Sequence, residues 1–107
     1  TSDMKRFIDR CYSLIQFPQS RSEWIGKYDN TGKLCITAAV CEQSDEGHMG
    51  NTLGLLTDFA KDIGLNVVGS LKALNSFEAG SIQQQKEVLI ADERVGRDIL
   101  AKIRREL

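Results

Sequence analysis

Apolar and polar residues recur along the chain in blocks whose spacing predicts five regular elements. The first block predicts a helix over 2–15, because apolar residues recur there at helical spacing between charged ones. These apolar residues are Met4, Phe7, Ile8, Cys11, Leu14 and Ile15. The helix is expected to end before Pro18, since the residue preceding a proline disfavours the helical region. The polar stretch 16–32 closes on a turn cluster and is predicted to be a loop.

Two apolar stretches predict β-strands. In the segment 33–41, Thr37 is the one polar residue after Lys33, so apolar residues occupy both alternating faces. That pattern is typical of a parallel strand covered on both sides. A second strand is predicted over 66–74, with Gly69 inside it.

Two further helices alternate with these strands. One is predicted over 51–63 after the polar loop 42–50, and it is expected to stop at Gly64, a residue suited to the end of a helix. The other is predicted over 87–106 from a helical stripe of apolar residues, namely Val88, Ala91, Val95, Ile99 and Ile103. The order helix, strand, helix, strand, helix predicts an α/β fold with a parallel sheet and helices on both faces.

Two strands are too few for such a sheet. Parallel sheets need several strands with helices on both faces, and two-stranded sheets are marginal. Either a second chain completes the sheet, or residues 1–107 are the single C-terminal segment of a larger open α/β domain. We favour the second interpretation, because the chain begins at Thr1 without an initiator Met.

Composition narrows the class of protein. The chain has 107 residues, of which 41% are hydrophobic and 27% charged, with a net charge of -1. These values argue against disorder and against a nucleic-acid binder, and no apolar run reaches the roughly 18 to 20 residues that cross a bilayer. Three cysteines without a Cys-x-x-Cys pair predict no disulfide framework and a cytoplasmic protein. Cys11, Cys35 and Cys41 are expected to be small buried apolar residues.

The loop 42–50 is the first candidate site. It leaves a predicted parallel strand at its carboxyl end, where open α/β sheets bind ligands. Its glycines allow close backbone approach, and the following helix offers free N–H groups. At the other candidate position, Thr1 and Ser2 precede the first helix and suit contact with a polar ligand edge.

Known catalytic and metal-binding motifs are weak or absent. The sequence contains no phosphate-binding P-loop and no Gly-x-Gly-x-x-Gly. Asp45, Glu46 and His48 are neighbours on one loop without a fourth ligand, which makes a poor metal site. Cys41 with His48 lacks an orienting third group. We therefore expect no catalytic side chain and no metal.

The first eleven residues carry a resemblance to a known family. The run Met4–Arg10 reads Met-Lys-Arg-Phe-Ile-Asp-Arg and resembles the third helix of the NADPH-dependent FMN reductase and flavodoxin-like family. Further segments are similar to its fourth strand, the loop and helix after it, the entry to its fifth strand and its closing helix: 33–40, 47–59, 64–69 and 88–105. In the closing helix, Gly96 matches a small residue that lets the helix lie close to the sheet.

The resemblance implies a five-stranded, doubly wound parallel sheet of order 2-1-3-4-5, with FMN at the carboxyl ends of its strands. The family's phosphate-binding loop is not in this sequence. The flavin ring would meet residues on the first helix and on the loop 42–50, namely Thr1, Ser2, Glu42, Gln43, Ser44, Gly47 and His48. The acidic residues of that loop depart from the family's glycine-rich version.

Two functions follow as expectations. The first is part of an FMN-binding oxidoreductase of the flavin reductase type, with NAD(P)H as substrate. The alternative is a non-catalytic α/β interaction module that completes its sheet by dimerisation or strand exchange. The expected partners are the N-terminal half of the same fold or a second copy of the chain, as a homo-oligomer, without nucleic acid or membrane.

Overall fold

The computed structural model describes residues 2–106. It contains three α-helices, two short antiparallel strands and two longer parallel strands. In chain order these are α1 (Ser2–Arg10), β1 (Ile15–Gln16), β2 (Ile25–Gly26), β3 (Leu34–Val40), α2 (Thr52–Asp62), β4 (Asn66–Ala73) and α3 (Lys86–Glu106). The predicted class, mixed α/β with a parallel pair of strands and three helices, is confirmed.

The first helix is shorter than its apolar pattern predicts. α1 ends at Arg10, a 3-10 turn follows over Cys11–Leu14, and Ile15 is extended at φ -116° and ψ 131°. Ile15 belongs to β1, which pairs antiparallel with β2. The predicted loop 16–32 therefore contains β2 and the second residue of β1. The sequence pattern did not predict this strand pair, because two-residue strands have no measurable periodicity.

β3 and β4 run parallel from the Leu34–Asn66 pair to the Val40–Ala73 pair. At the two ends of β3, the backbone of Lys33 accepts a hydrogen bond from β4 at 2.9 Å and the N–H of Cys41 donates to Ala73 at 2.8 Å. Backbone groups of a strand alternate in direction from one residue to the next. The odd-numbered residues of β3 therefore face β4, and the even-numbered ones face the opposite edge.

Helices lie on both faces of the parallel pair. On one face, the hydroxyl of Thr37 bonds Thr57 of α2 and Ser70 of β4, both at 3.0 Å. On the other face, a Cβ added to Gly69 would lie 3.0 Å from Val95 of α3. Ser70 and Gly69 are adjacent, so α2 and α3 pack on opposite sides of β4.

The close approach of α3 to the sheet occurs at a glycine of the strand and not at a glycine of the helix. A Cβ added to Gly96 would meet nothing within 4 Å, whereas one added to Gly69 would contact Val95. The interpretation of Gly96 as the residue that brings the closing helix near the sheet is therefore wrong.

α2 ends as its sequence predicts. Gly64 adopts φ +95°, its N–H donates to the carbonyl of Lys61, and the N–H of Leu65 donates to that of Ala60, both at 2.9 Å. This pair of hydrogen bonds is the Schellman arrangement that satisfies the last carbonyls of a helix.

β2 packs directly on this end of α2. A Cβ added to Gly26 would lie 2.6 Å from the backbone nitrogen of Gly64, and the N–H of Tyr28 donates to the carbonyl of Ile63 at 2.9 Å. The absence of side chains at Gly26 and Gly64 therefore allows β2 to lie directly against the end of α2.

Few side chains are buried, and most of those are small: Thr37, Cys41, Ala60, Ile63 and Ala73. Helices lie on both faces of the strand 33–41, as predicted, but they cover it incompletely. Leu34 and Ile36 are half-buried and Val40 is 63% exposed, while the polar Thr37 is buried within its hydroxyl network. Of the other cysteines, Cys11 and Cys35 are half-buried and unbonded to another thiol.

The surface is large for a chain of this size. Its accessible area is 8139 Å², whereas a folded monomer of this mass exposes about 6,000 Å². The Cα radius of gyration is 16.1 Å, against about 13 Å for a compact domain of about 100 residues. Large apolar side chains are exposed on the helices, on β3 and in the connecting segments, among them Phe7, Val40 and Trp24. Within residues 2–106, no helix has the length and apolarity needed to cross a membrane.

Candidate functional site

A cavity of about 560 Å³ opens at the carboxyl end of β3. It lies between the first half of α1, the end of β3 and the first half of α2. Six of its lining residues define its character: Ser2, Met4, Ile8, Val40, Thr52 and Leu56. Its size is within the range of about 300 to 1,000 Å³ that small-molecule sites occupy. The cavity has an apolar interior with hydroxyl groups at the starts of two helices.

The position of this cavity follows from the direction of the strands. β3 and β4 are parallel, so both carboxyl ends lie at one edge of the sheet. The chain leaves β3 at that edge and enters α2, whose first turn is therefore placed there. Ligands of open α/β sheets bind outside this edge.

The start of α2 offers free backbone donors. Asn51 precedes the helix and its side chain makes no capping hydrogen bond, while the hydroxyl of Thr52 donates to the carbonyl of Met49 at 3.0 Å. Gly50 adopts φ +62° and ψ -144°, a conformation almost restricted to glycine. The first N–H groups of an uncapped helix are available to an acceptor on a ligand.

The loop 42–50 is ordered by its own contacts. It contains a 3-10 turn over Glu46–Met49, and the carboxylate of Asp45 accepts a hydrogen bond from the N–H of Gly47 at 2.9 Å. Glu46 pairs with Lys72 of β4 at 2.6 Å, and the carbonyl of Gln43 accepts from the N–H of Asn75 at 3.0 Å. These contacts tie the loop to the end of β4.

The predicted site residues do not all meet at the cavity. Ser2 lines it, and Thr1 lies outside the described residues. The five loop residues are exposed and do not line this cavity: Glu42, Gln43, Ser44, Gly47 and His48. The loop follows the same end of β3 but is held toward β4.

Sequence reasoning missed Val40, Thr52 and Leu55 as lining residues of this cavity. Thr52 carried a usable signal, because it is the first residue of the helix that follows the loop. Val40 and Leu55 can be recognised as lining residues only from the three-dimensional structure. Their exposed fractions, 63% and 46%, are high for aliphatic side chains.

The described residues contain no group of three or more His, Cys, Asp or Glu side chains placed to hold a metal ion. Cys41 is buried at the end of β3, whereas His48 is exposed on the loop. No known protein-family model matches the chain, and comparisons with curated protein sequences and with solved structures give no significant match.

Proposed function

We propose that this chain forms the flavin-ring side of an FMN-binding, NAD(P)H-dependent oxidoreductase with a flavodoxin-like fold. One observation carries the proposal: the start of α1, the carboxyl end of β3 and the start of α2 enclose one cavity at the ligand-binding edge of a parallel sheet. The similarity of Met4–Arg10 to the third helix of the reductase family supports the same site.

The residues of the cavity fit the chemistry of a flavin ring. The ring has flat apolar faces and a polar edge that carries hydrogen-bond acceptors. Ile8, Val40 and Leu56 supply apolar walls, while Ser2 and the first turn of α2 supply donors at the mouth. The sequence lacks the phosphate-binding loop that the resemblance implies, so we expect another segment to hold the phosphate.

FMN, when bound, accepts hydride from NAD(P)H and passes the electrons on. The contribution of this chain is to position and shield the ring. Apolar side chains exclude water from one face, and the Ser2 hydroxyl with the free N–H groups before Leu55 holds the polar edge. This role requires no acid or base from the loop 42–50.

FMN titration tests the proposal. The 107-residue chain is compared with the chain joined to the residues encoded before Thr1, by flavin absorbance and NAD(P)H oxidation. We expect bound, reducible FMN in the joined form and not in the chain alone. A joined form that folds but binds no flavin, and therefore stays colourless, would contradict the proposal.

A pair of matched variants localises the site in the joined form. Leu55→Glu places a charge in the cavity wall, where Leu55 is 46% exposed, and Leu89→Glu places the same charge on α3 at 43% exposure, outside this cavity. Burying an unpaired carboxylate against an apolar ligand is costly, so we expect Leu55→Glu to weaken FMN binding about tenfold or more. Equal effects of the two variants would place the flavin elsewhere.

The second candidate is a non-catalytic interaction module. It is favoured by the exposure of large apolar side chains on all three helices, such as Phe7, Leu55 and Ile90. Sedimentation of the joined form without FMN distinguishes the two candidate functions. An interaction module still associates with its partner or with a second copy, and it shows no flavin-dependent oxidation of NAD(P)H.

A further inference from the structure

A second cavity, of about 280 Å³, lies between α1 and α2 at the opposite ends of these helices from the cavity described above. Ile8 and Leu55 line both cavities and so form the partition between them. The rest of the lining comes largely from the end of α1, the turn that follows it and the second half of α2. We call five of these residues the acidic groove: Asp9, Tyr12, Asp58, Phe59 and Asp62.

The acidic groove combines negative charge with an apolar floor. The side chains of Asp9, Asp58 and Asp62 are exposed at its rim. No basic side chain of the described chain lines the groove, and the ion pairs found within residues 2–106 lie elsewhere. On its floor Phe59 is half-buried, and Tyr12 is 52% exposed. A complementary surface is therefore basic at its rim and apolar at its centre.

The carboxylates of the groove occupy positions that helices disfavour. Asp62 is the last residue of α2, and Asp9 is the last but one of α1. The C-terminal end of a helix carries the negative end of its dipole, which repels a carboxylate. Residues that break a local rule of this kind often mark a functional surface. The dipoles of both helices add to the negative potential of the groove, so a cationic partner is favoured there.

The outer face of α3 carries the complementary pattern. Val95 and Ile99 are half-buried on the side toward the sheet, where Val95 approaches Gly69. Three exposed residues at i, i+3 and i+7 share the side of the helix away from the sheet. They are Arg97, Leu100 and Arg104, which we call the α3 ridge. Leu100 is 47% exposed between the two arginines.

We propose that the acidic groove of one copy of this chain receives the α3 ridge of a second copy. Leu100 enters the apolar centre of the groove, while Arg97 and Arg104 pair with the carboxylates at its rim. Arginine suits this role because its guanidinium group binds a carboxylate through two parallel hydrogen bonds. Arg97 also pairs with Glu93 of its own helix at 2.5 Å, but both side chains are exposed and such a pair is weak.

The contact joins two copies because one chain cannot make it. α2 forms one side of the groove and lies on the opposite face of the sheet from α3. Two-fold contacts would place groove against groove or ridge against ridge, and both bring like charges together. Groove against ridge is a heterologous contact, which continues into a ring or an open stack. No strand edge takes part, so this contact is distinct from completion of the sheet and independent of FMN binding.

Sedimentation of the 107-residue chain over a wide range of concentration tests the proposal. The unaltered chain should associate beyond a dimer as its concentration rises. Two variants reverse one surface each: Asp58→Lys with Asp62→Lys for the groove, and Arg97→Glu with Arg104→Glu for the ridge. In each variant the groove and the ridge carry the same sign of charge, so we expect association to weaken about tenfold or more.

An equimolar mixture of the two variants is the decisive arm. The reversed groove of one variant then faces the reversed ridge of the other, so the mixture should regain association to within about threefold of the unaltered chain. Recovery also shows that both variants are folded. The matched control is Glu23→Lys with Glu78→Lys, which makes the same change of charge at exposed residues outside both surfaces. We expect this control to associate as the unaltered chain does.

Each contrary result overturns the proposal or a stated part of it. A chain that stays monomeric at every concentration has no such contact. Groove and ridge variants that associate like the unaltered chain would assign the association to another surface. A mixture that does not recover would show that the groove and the ridge do not meet. Association that stops at a dimer would replace the heterologous contact by a two-fold one. Because FMN is absent from every arm, none of these results bears on the flavin proposal.

Discussion

Replacing Val40 with lysine distinguishes a naturally exposed side chain from one that a partner covers. Val40 lies at the carboxyl end of β3 and is 63% exposed. If it stays exposed in the working protein, a surface substitution changes stability by less than about 0.5 kcal/mol. If a partner segment that completes the sheet beside β3 covers it, the substitution removes a buried apolar contact and places an ammonium group in the interface.

The magnitude follows from the exposed fraction. Burying a whole valine side chain contributes about 1.5 to 3 kcal/mol. Because 63% of Val40 is uncovered, a partner that covers it gains about 1 to 2 kcal/mol there. Loss of that contact weakens strand binding about 5-fold to 30-fold. The cost of desolvating the lysine adds to this loss.

The assay is a titration of the chain with a labelled apolar strand peptide, followed by fluorescence anisotropy. Phe77→Lys is the matched control. The substitution adds the same charge at a residue that is 72% exposed and lies outside the cavities beside β3. We expect the control to change the affinity less than about twofold. Equal losses for Val40→Lys and Phe77→Lys would refute the reasoning, because a general charge effect would then explain both.

Substitutions at Gly64, Thr37 and Glu46, with their controls, test the packing that positions the site. Gly64→Ala should cost about 2 to 4 kcal/mol in urea unfolding, from its φ of +95° and a Cβ placed 2.5 Å from the backbone of Tyr28. Gly80→Ala, at φ +79° with open space around it, should cost about 1 to 2 kcal/mol, so equal costs would contradict the close approach at Gly64. Thr37→Val should destabilise the fold by about 1 to 2 kcal/mol, since it removes two hydroxyl hydrogen bonds of 3.0 Å. A double-mutant cycle with Thr57→Val should show coupling between the two sites. Additive effects would exclude the hydrogen bond between Thr37 and Thr57. Glu46→Gln should lower the free energy of unfolding by less than about 0.5 kcal/mol, because both partners of its ion pair with Lys72 are exposed. It should also speed amide exchange in the loop 42–50. A large loss of global stability would instead show that this ion pair stabilises the whole fold.

The order and type of the regular elements were predictable because helices and strands differ in hydrophobic period. The stripe from Leu53 to Ile63 predicted α2 over 51–63, and the helix occupies Thr52–Asp62. The first helix ends earlier than predicted because the chain tightens after Arg10 and then pairs through Ile15 with β2. A pairing of two-residue strands depends on tertiary contact and has no period in the sequence.

The candidate site was predictable in part. The rule that ligands bind at the carboxyl ends of parallel strands directed attention to the edge of the sheet where the cavity opens, and Ser2 lines that cavity. The loop residues around His48 follow that edge but are held toward β4 by the ion pair of Glu46 and the backbone of Gln43. Such contacts join residues far apart in sequence, so the sequence of the loop alone does not predict the direction in which the loop runs.

The burial of β3 illustrates a second limit. An apolar run such as Leu34–Val40 predicts cover on both faces, and the described chain supplies part of that cover. The buried position is Thr37, whose hydroxyl is satisfied by Thr57 and Ser70. Sequence periodicity reports the environment in which a strand evolved, and the missing cover here is consistent with a partner strand.

Small-angle X-ray scattering of the dilute 107-residue chain, with its mass checked by sedimentation, tests most directly whether the faces beside β3 are left open. We expect a monomer with a radius of gyration near the 16.1 Å of the structure. A monomer of about 13 Å, the value of a compact domain of this length, would mean that the helices close over β3 unaided and would contradict the account.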